Sequence, residues 1–264
     1  MKPAVDQPEM LLEVERGVAY VTVNRPEARN AMTWAMYERL VEICDQVDGD
    51  DEIRVLVITG RGDRAFISGT DIGQFPAFRG NPQAGIEYEE RIDRVIGRLE
   101  SVSKPTIAAV RGYAVGGGLT ISVTCDLRIA ADNARFGIPI TRLGNCLSIK
   151  NYARLVALLG PARVKELIYT ARHVEAAEAL AWGLVNQVVP LDALEARVRE
   201  LAEGIAQAPP LTLRVSKEVV RRVVHRLLPD DPGHALVATC YNSTDFQEGV
   251  AAFLDKRTPH WTGR

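Results

Sequence analysis

Lys104-Pro-Thr-Ile-Ala-Ala-Val-Arg-Gly-Tyr-Ala-Val-Gly-Gly-Gly-Leu-Thr-Ile121 decides how the rest of the chain is read. After Pro105 comes a short apolar β-type run, residues 106–110. Three glycines follow, Gly116, Gly117 and Gly118, and then Leu119 to Val123, which reads as the start of a buried helix. A strand that runs through glycines into a helix leaves free backbone N–H groups at the helix N-terminus. With the positive end of the helix dipole, those groups suit negative charge: a phosphate, or an oxyanion formed only during a reaction. The nucleotide phosphate loop needs a lysine and a hydroxyl residue directly after its last glycine, and here Leu119 and Thr120 stand there. The dinucleotide fingerprint fails too, because no glycine lies three residues after Gly118.

Working outward, the chain has 264 residues, enough for one large domain or a domain with an appendage. It is 47% hydrophobic and 25% charged, ordinary for a soluble globular protein. Its net charge of −2 gives no global attraction for nucleic acid or an anionic membrane. Cys44, Cys125, Cys146 and Cys240 are far apart in sequence, with no Cys-x-x-Cys pair. Structural zinc and a disulfide framework are therefore not expected, and a reducing, cytoplasmic compartment is. The start, residues 1–8, is polar with two prolines and lacks the apolar stretch of a signal peptide; no run is long enough to span a membrane.

Residues 11–15 and 18–23 read as a hairpin around Arg16-Gly17. Thr33 stands as the N-cap of a helix ending near Gly49. Residues 54–59 form a β-branched run suited to a strand buried on both faces. A long glycine-containing loop, 61–80, follows; its Arg61-Gly62-Asp63 is read as a chance tripeptide. Residues 86–99 have helical periodicity, with Ile92, Val95, Ile96 and Leu99 on one face. Residues 127–130 are a short strand, and 147–159 and 162–170 are helices parted by Gly160-Pro161. Residues 174–180 are expected as a short helix and 185–189 as the last strand. Beyond 191 the chain is helical: 191–206, 211–228 and 235–253. Alternating β and α argues an α/β core, and pattern alone suggests a doubly wound sheet.

A second stretch, Arg64-Ala-Phe-Ile-Ser-Gly-Thr-Asp-Ile72, also follows an apolar β run. Together with Asn24-Arg-Pro-Glu-Ala-Arg-Asn-Ala31 and the triple glycine it resembles the crotonase (enoyl-CoA hydratase/isomerase) superfamily. The resemblance is collinear over nearly the whole chain, through Cys125-Asp126, Arg135-Phe-Gly-Ile-Pro139 and Ala181-Trp-Gly-Leu-Val185 to Phe253-Leu-Asp-Lys256. It implies an α/β spiral of β-β-α turns over residues 1–190. A C-terminal helical region, 191–264, would make trimer or dimer-of-trimers contacts. It implies an acyl-CoA thioester as substrate, with CoA entering as part of the substrate and no separate cofactor. By position, the N–H groups of Thr70 and Gly117 hold the thioester oxygen as it becomes enolate-like. The CoA body lies along Ala28, Ser68, Gly69, Thr70, Asp71, Ile72 and Gly117. Arg64 would meet a CoA phosphate, and Lys256 the CoA of a neighbouring subunit.

The family's two hydratase glutamates are replaced, by Thr120 and Ile140. Between Ser101 and Lys165 the only acids are Asp126, in a pair kept for structure, and Asp132, in a polar turn. Each missing proton-transfer group is worth roughly 10²–10⁴-fold in rate. Asn145 remains as a group to orient water or the acyl chain. Cys146 reads as an inert buried thiol, and Ser148 as a helix cap. Glu87, Glu89, Glu90 and Asp93 are a further source of acid and are expected to form a solvated helix face. The reaction is thus expected to be hydratase- or isomerase-like. The alternatives are a hydrolase, decarboxylase or C–C lyase of the same family, or a weakly catalytic acyl-CoA- or RNA-binding protein. For RNA, the stripe Arg214, Lys217, Arg221, Arg222 and Arg226 is the candidate face, though an ordinary solvated face is the simpler reading. Asn242-Ser243-Thr244 matches a glycosylation acceptor but has no export signal beside it.

Overall fold

A computed structural model of the chain describes residues 8–73, 83–226 and 231–264. Strands β1 (Met10–Glu15) and β2 (Val18–Val23) form the expected hairpin, turned by Arg16 and Gly17 at positive φ. Helix α1 (Trp34–Gly49) is capped by Thr33, whose Oγ accepts from Met36 N at 3.3 Å. Three turns of one design follow. They are β3 (Val55–Gly60), β4 (Ala65–Ile67) and α2 (Ala84–Glu100); β5 (Thr106–Val110), β6 (Tyr113–Val115) and α3 (Gly117–Thr124); and β7 (Leu127–Ala131), β8 (Arg135–Gly137) and α4 (Ile149–Thr170).

The first strand of each turn joins a six-stranded sheet ordered β1-β2-β3-β5-β7-β10, where β10 is Gln187–Val189. The second joins a four-stranded sheet ordered β4-β6-β8-β9, where β9 is Val174–Glu175. Strands from successive turns pair in parallel. The chain is therefore a spiral of β-β-α turns and not a doubly wound sheet. The second strands are three residues long, too short to carry a period, so alternation alone overlooks them.

β3, β5 and β7 are apolar throughout because they are covered on both sides. Leu56, Ile58, Ala108 and Val110 face the main core. Val55, Val57, Ile107 and Ala109 face a second core closed by Leu194, Val198 and Ala202 of α6 (Leu194–Ala206). Two expectations change. Residues 174–175 form β9 (Val174–Glu175), paired antiparallel with β8, before α5 (Ala176–Trp182) begins; β10 (Gln187–Val189) comes next. After α7 (Pro210–His225), the expected single helix 235–253 is two, α8 (His234–Tyr241) and α9 (Thr244–Leu254). The break is made by Ser243, which leaves helical geometry and accepts from Phe246 N at 3.0 Å as the N-cap of α9.

Residues 74–80 of the expected loop and 227–228 of the expected helix lie outside the described residues. α4 contains the expected break, with Gly160 at φ 73, ψ 162 ahead of Pro161. Packing crosses residue 190, since Tyr241 and Phe246 belong to the main core. No helix among the described residues is long and apolar enough to cross a membrane.

Candidate active site

The triple glycine does what its composition requires. Gly116 sits at φ 54, ψ −120, a conformation costly for any side chain, and α3 starts at the next residue. Across from it Gly69 sits at φ 117. The two loops meet here: a Cβ on Gly116 would lie 3.9 Å from Gly69 Cα. Their neighbouring amides are engaged, Gly116 N with Gly137 O and Asp71 N with Met32 O, each at 2.9 Å. Among the described residues no backbone acceptor meets Thr70 N or Gly117 N. The position of a Gly117 Cβ is 3.7 Å from Thr70 N, so the two donors share one small space. Both residues line a cleft of about 110 Å³.

Hydroxyls crowd this end of the cleft. Tyr88 donates to Thr70 Oγ1 at 2.9 Å, and the Tyr37 hydroxyl lies 2.9 Å from the same atom. Burial pushes the Tyr37 phenol up to about 12 and that of Tyr88 well above its ordinary value, so both stay neutral.

The opposite chemistry comes from α2. Glu89 is 5% exposed and lines the cleft. Its Oε1 accepts from the Tyr241 hydroxyl at 2.7 Å, and its Oε2 from Ser148 N at 2.7 Å. Burial pushes its carboxyl up to about 8, although both hydrogen bonds pull the other way. The expected solvated acidic face therefore holds for Glu87 and Glu90 and fails for Glu89. Asp93 is also largely covered; it accepts from Ser148 Oγ at 2.6 Å, and burial raises its carboxyl. Among the described residues, Glu89 is the only carboxyl lining the cleft.

The structure gathers most of the sequence-predicted residues. Ser68, Gly69, Thr70, Ile72, Gly117, Thr120, Ile140 and Asn145 all line the cleft. Thr120 is buried with its hydroxyl on Gly116 O at 3.3 Å, and Ile140 is 6% exposed, so neither place offers an acid. Asn145 Oδ1 is buried with no hydrogen-bond partner among the described residues. Ala28 lies in the short 3₁₀ turn Pro26–Ala28 and is not part of the cleft wall. Its segment is tied to the 64–72 loop by Ser68 N on Arg29 O at 3.2 Å and by buried Asn30, whose Nδ2 donates to Ala65 O at 2.7 Å. The Asp71 carboxylate turns from the cleft to Arg25 at 2.8 Å, which holds it below its usual range. Arg64 and Lys256 are exposed and do not line the cleft.

Two other candidates are spoken for. Cys146 is buried against Cys240, and that contact together with burial raises its thiol; it does not line the cleft. In the basic stripe, Lys217 binds Asp126 at 2.8 Å while Arg221 and Arg222 share Glu218. Asp126 also accepts from Thr106 N at 2.7 Å, as a structural acid does.

A β-β-α spiral with a glycine-framed cleft defines the crotonase superfamily, and this chain belongs to it. Within it, the family model described as Enoyl-CoA hydratase/isomerase matches residues 13–264. The short-chain-enoyl-CoA hydratase of Clostridium acetobutylicum is 35% identical over 94% of this chain and 95% of its own length. The (E)-benzylidenesuccinyl-CoA hydratase of Thauera aromatica is 36% identical over 96% of this chain and 98% of its own. Among solved structures, methylmalonyl-CoA decarboxylase in complex with 2-nitronate-propionyl-CoA superposes with a TM-score of 0.90 at 27% identity, covering 97% of this chain and 99% of that one.

Proposed function

We propose that this protein acts on an acyl-CoA thioester, holds the thioester oxygen on Thr70 N and Gly117 N, and moves a proton at the acyl chain with Glu89. The observation that carries this reading is one cleft lined, among the described residues, by two backbone donors without a backbone acceptor and by one carboxyl, the buried Glu89. Fixed peptide donors in a sheltered cleft need no reorganisation as charge grows on the oxygen, and one such donor is worth roughly 3–4 kcal/mol. The Glu89 carboxyl, at about 8, is close enough to neutrality to give a proton and to take one. One such group suffices for a double-bond shift: it takes a proton from the α-carbon and returns it two carbons further along. Hydration asks for proton handling at the water as well, which Thr120 and Ile140 cannot supply. A 3-enoyl to 2-enoyl isomerisation is therefore the reaction this geometry supports best. Hydration of a 2-enoyl-CoA is the second reading, favoured by the names of the relatives.

The CoA body would cross the rim formed by the Ala28 turn and the 64–72 loop, with Arg64 and a neighbouring subunit's Lys256 available for its phosphates. Supplying 3-butenoyl-CoA and crotonyl-CoA to the pure protein separates the two readings. Isomerisation outpacing hydration, and lost in Glu89→Gln, is the expected result. Hydration at the 10²–10³ s⁻¹ of an efficient enzyme would overturn it. The double variant Thr120→Glu/Ile140→Glu should raise hydration more than either single change.

A further inference from the structure

Glu89 is a wall between two cavities. One is the cleft described above. The other is a second cavity of about 260 Å³, bordered by Glu89, Glu90, Asp93, Ser148, Lys150 and His234. Its lining carries more ionisable side chains than that of the first, beside the apolar Ile86, Pro232 and Val237. Ser148 ties the carboxyl to the wall of this cavity through two separate groups, its backbone N–H and its hydroxyl. Glu89 Oε2 accepts from Ser148 N, and Ser148 Oγ donates to Asp93 Oδ1. Asp93 Oδ2 lies 4.0 Å from Lys150 Nζ, half exposed at 51%. At the rim, His234 Nε2 stands 3.3 Å from Glu90 Oε1. A space of this size and polarity holds several waters, each of which needs two to four polar partners.

We propose that Glu89 exchanges its proton with solvent through this second cavity, with Asp93 as the outer relay, while an acyl chain occupies the cleft. This rests on the proposed proton-transfer role of Glu89. The reason is geometric. A bound acyl group closes the cleft side, so a proton taken there could only go back to the substrate. The rear side of the carboxyl borders the second cavity. In D₂O the α C–H bond of a bound thioester breaks, its electron pair passes into the enolate, and its proton goes to a Glu89 oxygen. That proton leaves to cavity water, a deuteron replaces it, and the deuteron forms the new C–D bond.

The probe is butanoyl-CoA, which is saturated, so α-deuterium uptake can be read by mass spectrometry without product formation. Ile86→Trp fills the second cavity from its own wall, and Asp93→Asn removes the relay while keeping an acceptor for Ser148 Oγ. Uptake by the wild type, lost in Glu89→Gln and several-fold slower in both cavity variants at unchanged butanoyl-CoA affinity, is the expected outcome. Uptake lost in Glu89→Gln but at the wild-type rate in both cavity variants overturns the rear path and leaves the role of Glu89 standing. No uptake by the wild type, or uptake indifferent to Glu89→Gln, removes that role and the rear path with it.

Discussion

Glu89 is an acid where the helix pattern calls for an apolar residue. Burial is what keeps its proton near neutral pH, and the same burial ties the residue to stability. Its folded carboxyl sits at about 8, above the ordinary value of 4.5, so the folded state binds more protons than the unfolded one between those values. Stability from this group is complete below the lower value and is lost as pH rises through the upper one. Thermal melts at pH 5 and pH 9 should therefore show a larger fall for wild type than for Glu89→Gln. In turnover, Glu89→Gln is expected to cost roughly 10²–10⁴-fold. The proton-donating step should fade above about pH 8 in wild type only. A second residue-scale prediction concerns Gly117. A Cβ there would stand 2.7 Å from the Tyr37 hydroxyl, tighter than real contacts allow. Gly117→Ala should impair acyl-CoA binding measured by calorimetry, and adding Tyr37→Phe should restore part of it.

The site is assembled from elements pressed close together, and glycines set the distances. At Gly85 on α2 a Cβ would overlap the Tyr241 side chain on α8. Those two helices carry Glu89 and its hydrogen-bond donor. Gly85→Ala should push them apart, lowering stability by about 1–3 kcal/mol in urea unfolding. It should also weaken the Tyr241 bond to Glu89, seen as slower turnover in a variant that still folds. The cap of α9 gives a control far from proton transfer. Ser243→Ala removes an acceptor from Phe246 N and should cost about 1 kcal/mol without changing the pH profile of turnover.

Across the whole molecule, the helices after residue 191 divide the work. α6 closes the outer core, while α8 and α9 send Tyr241 and Phe246 into the main core. α7 keeps a broad apolar face in the open, with Leu211, Val215, Val219, Val220 and Val223 each more than half exposed. A helix apolar over so wide an arc seeks partners on more than one side. A trimer or dimer of trimers is the expected assembly by light scattering. The double variant Val219→Glu/Val223→Glu should shift the protein toward smaller species.

The letters alone carry what is local and what is collinear. Residues 106–110 are a buried strand because they are apolar throughout. Thr33 and Ser148 cap helices because a short hydroxyl reaches the amides of the first turn. Three ordered motifs identified the family, and the absence of acids between Ser101 and Lys165 apart from Asp126 and Asp132 was plain from the letters. The place of Glu89 was half legible. It stands three residues before Ile92 and seven before Ile96, on the buried face of α2, but a run of acids reads as solvated. The fold overrules that pattern, because the partners that let a carboxyl be buried, Tyr241 and Ser148, lie 152 and 59 residues away. The same holds for the strands β4, β6 and β8. A three-residue segment has no period of its own and becomes a strand only when a neighbour from another turn of the spiral supplies its hydrogen bonds.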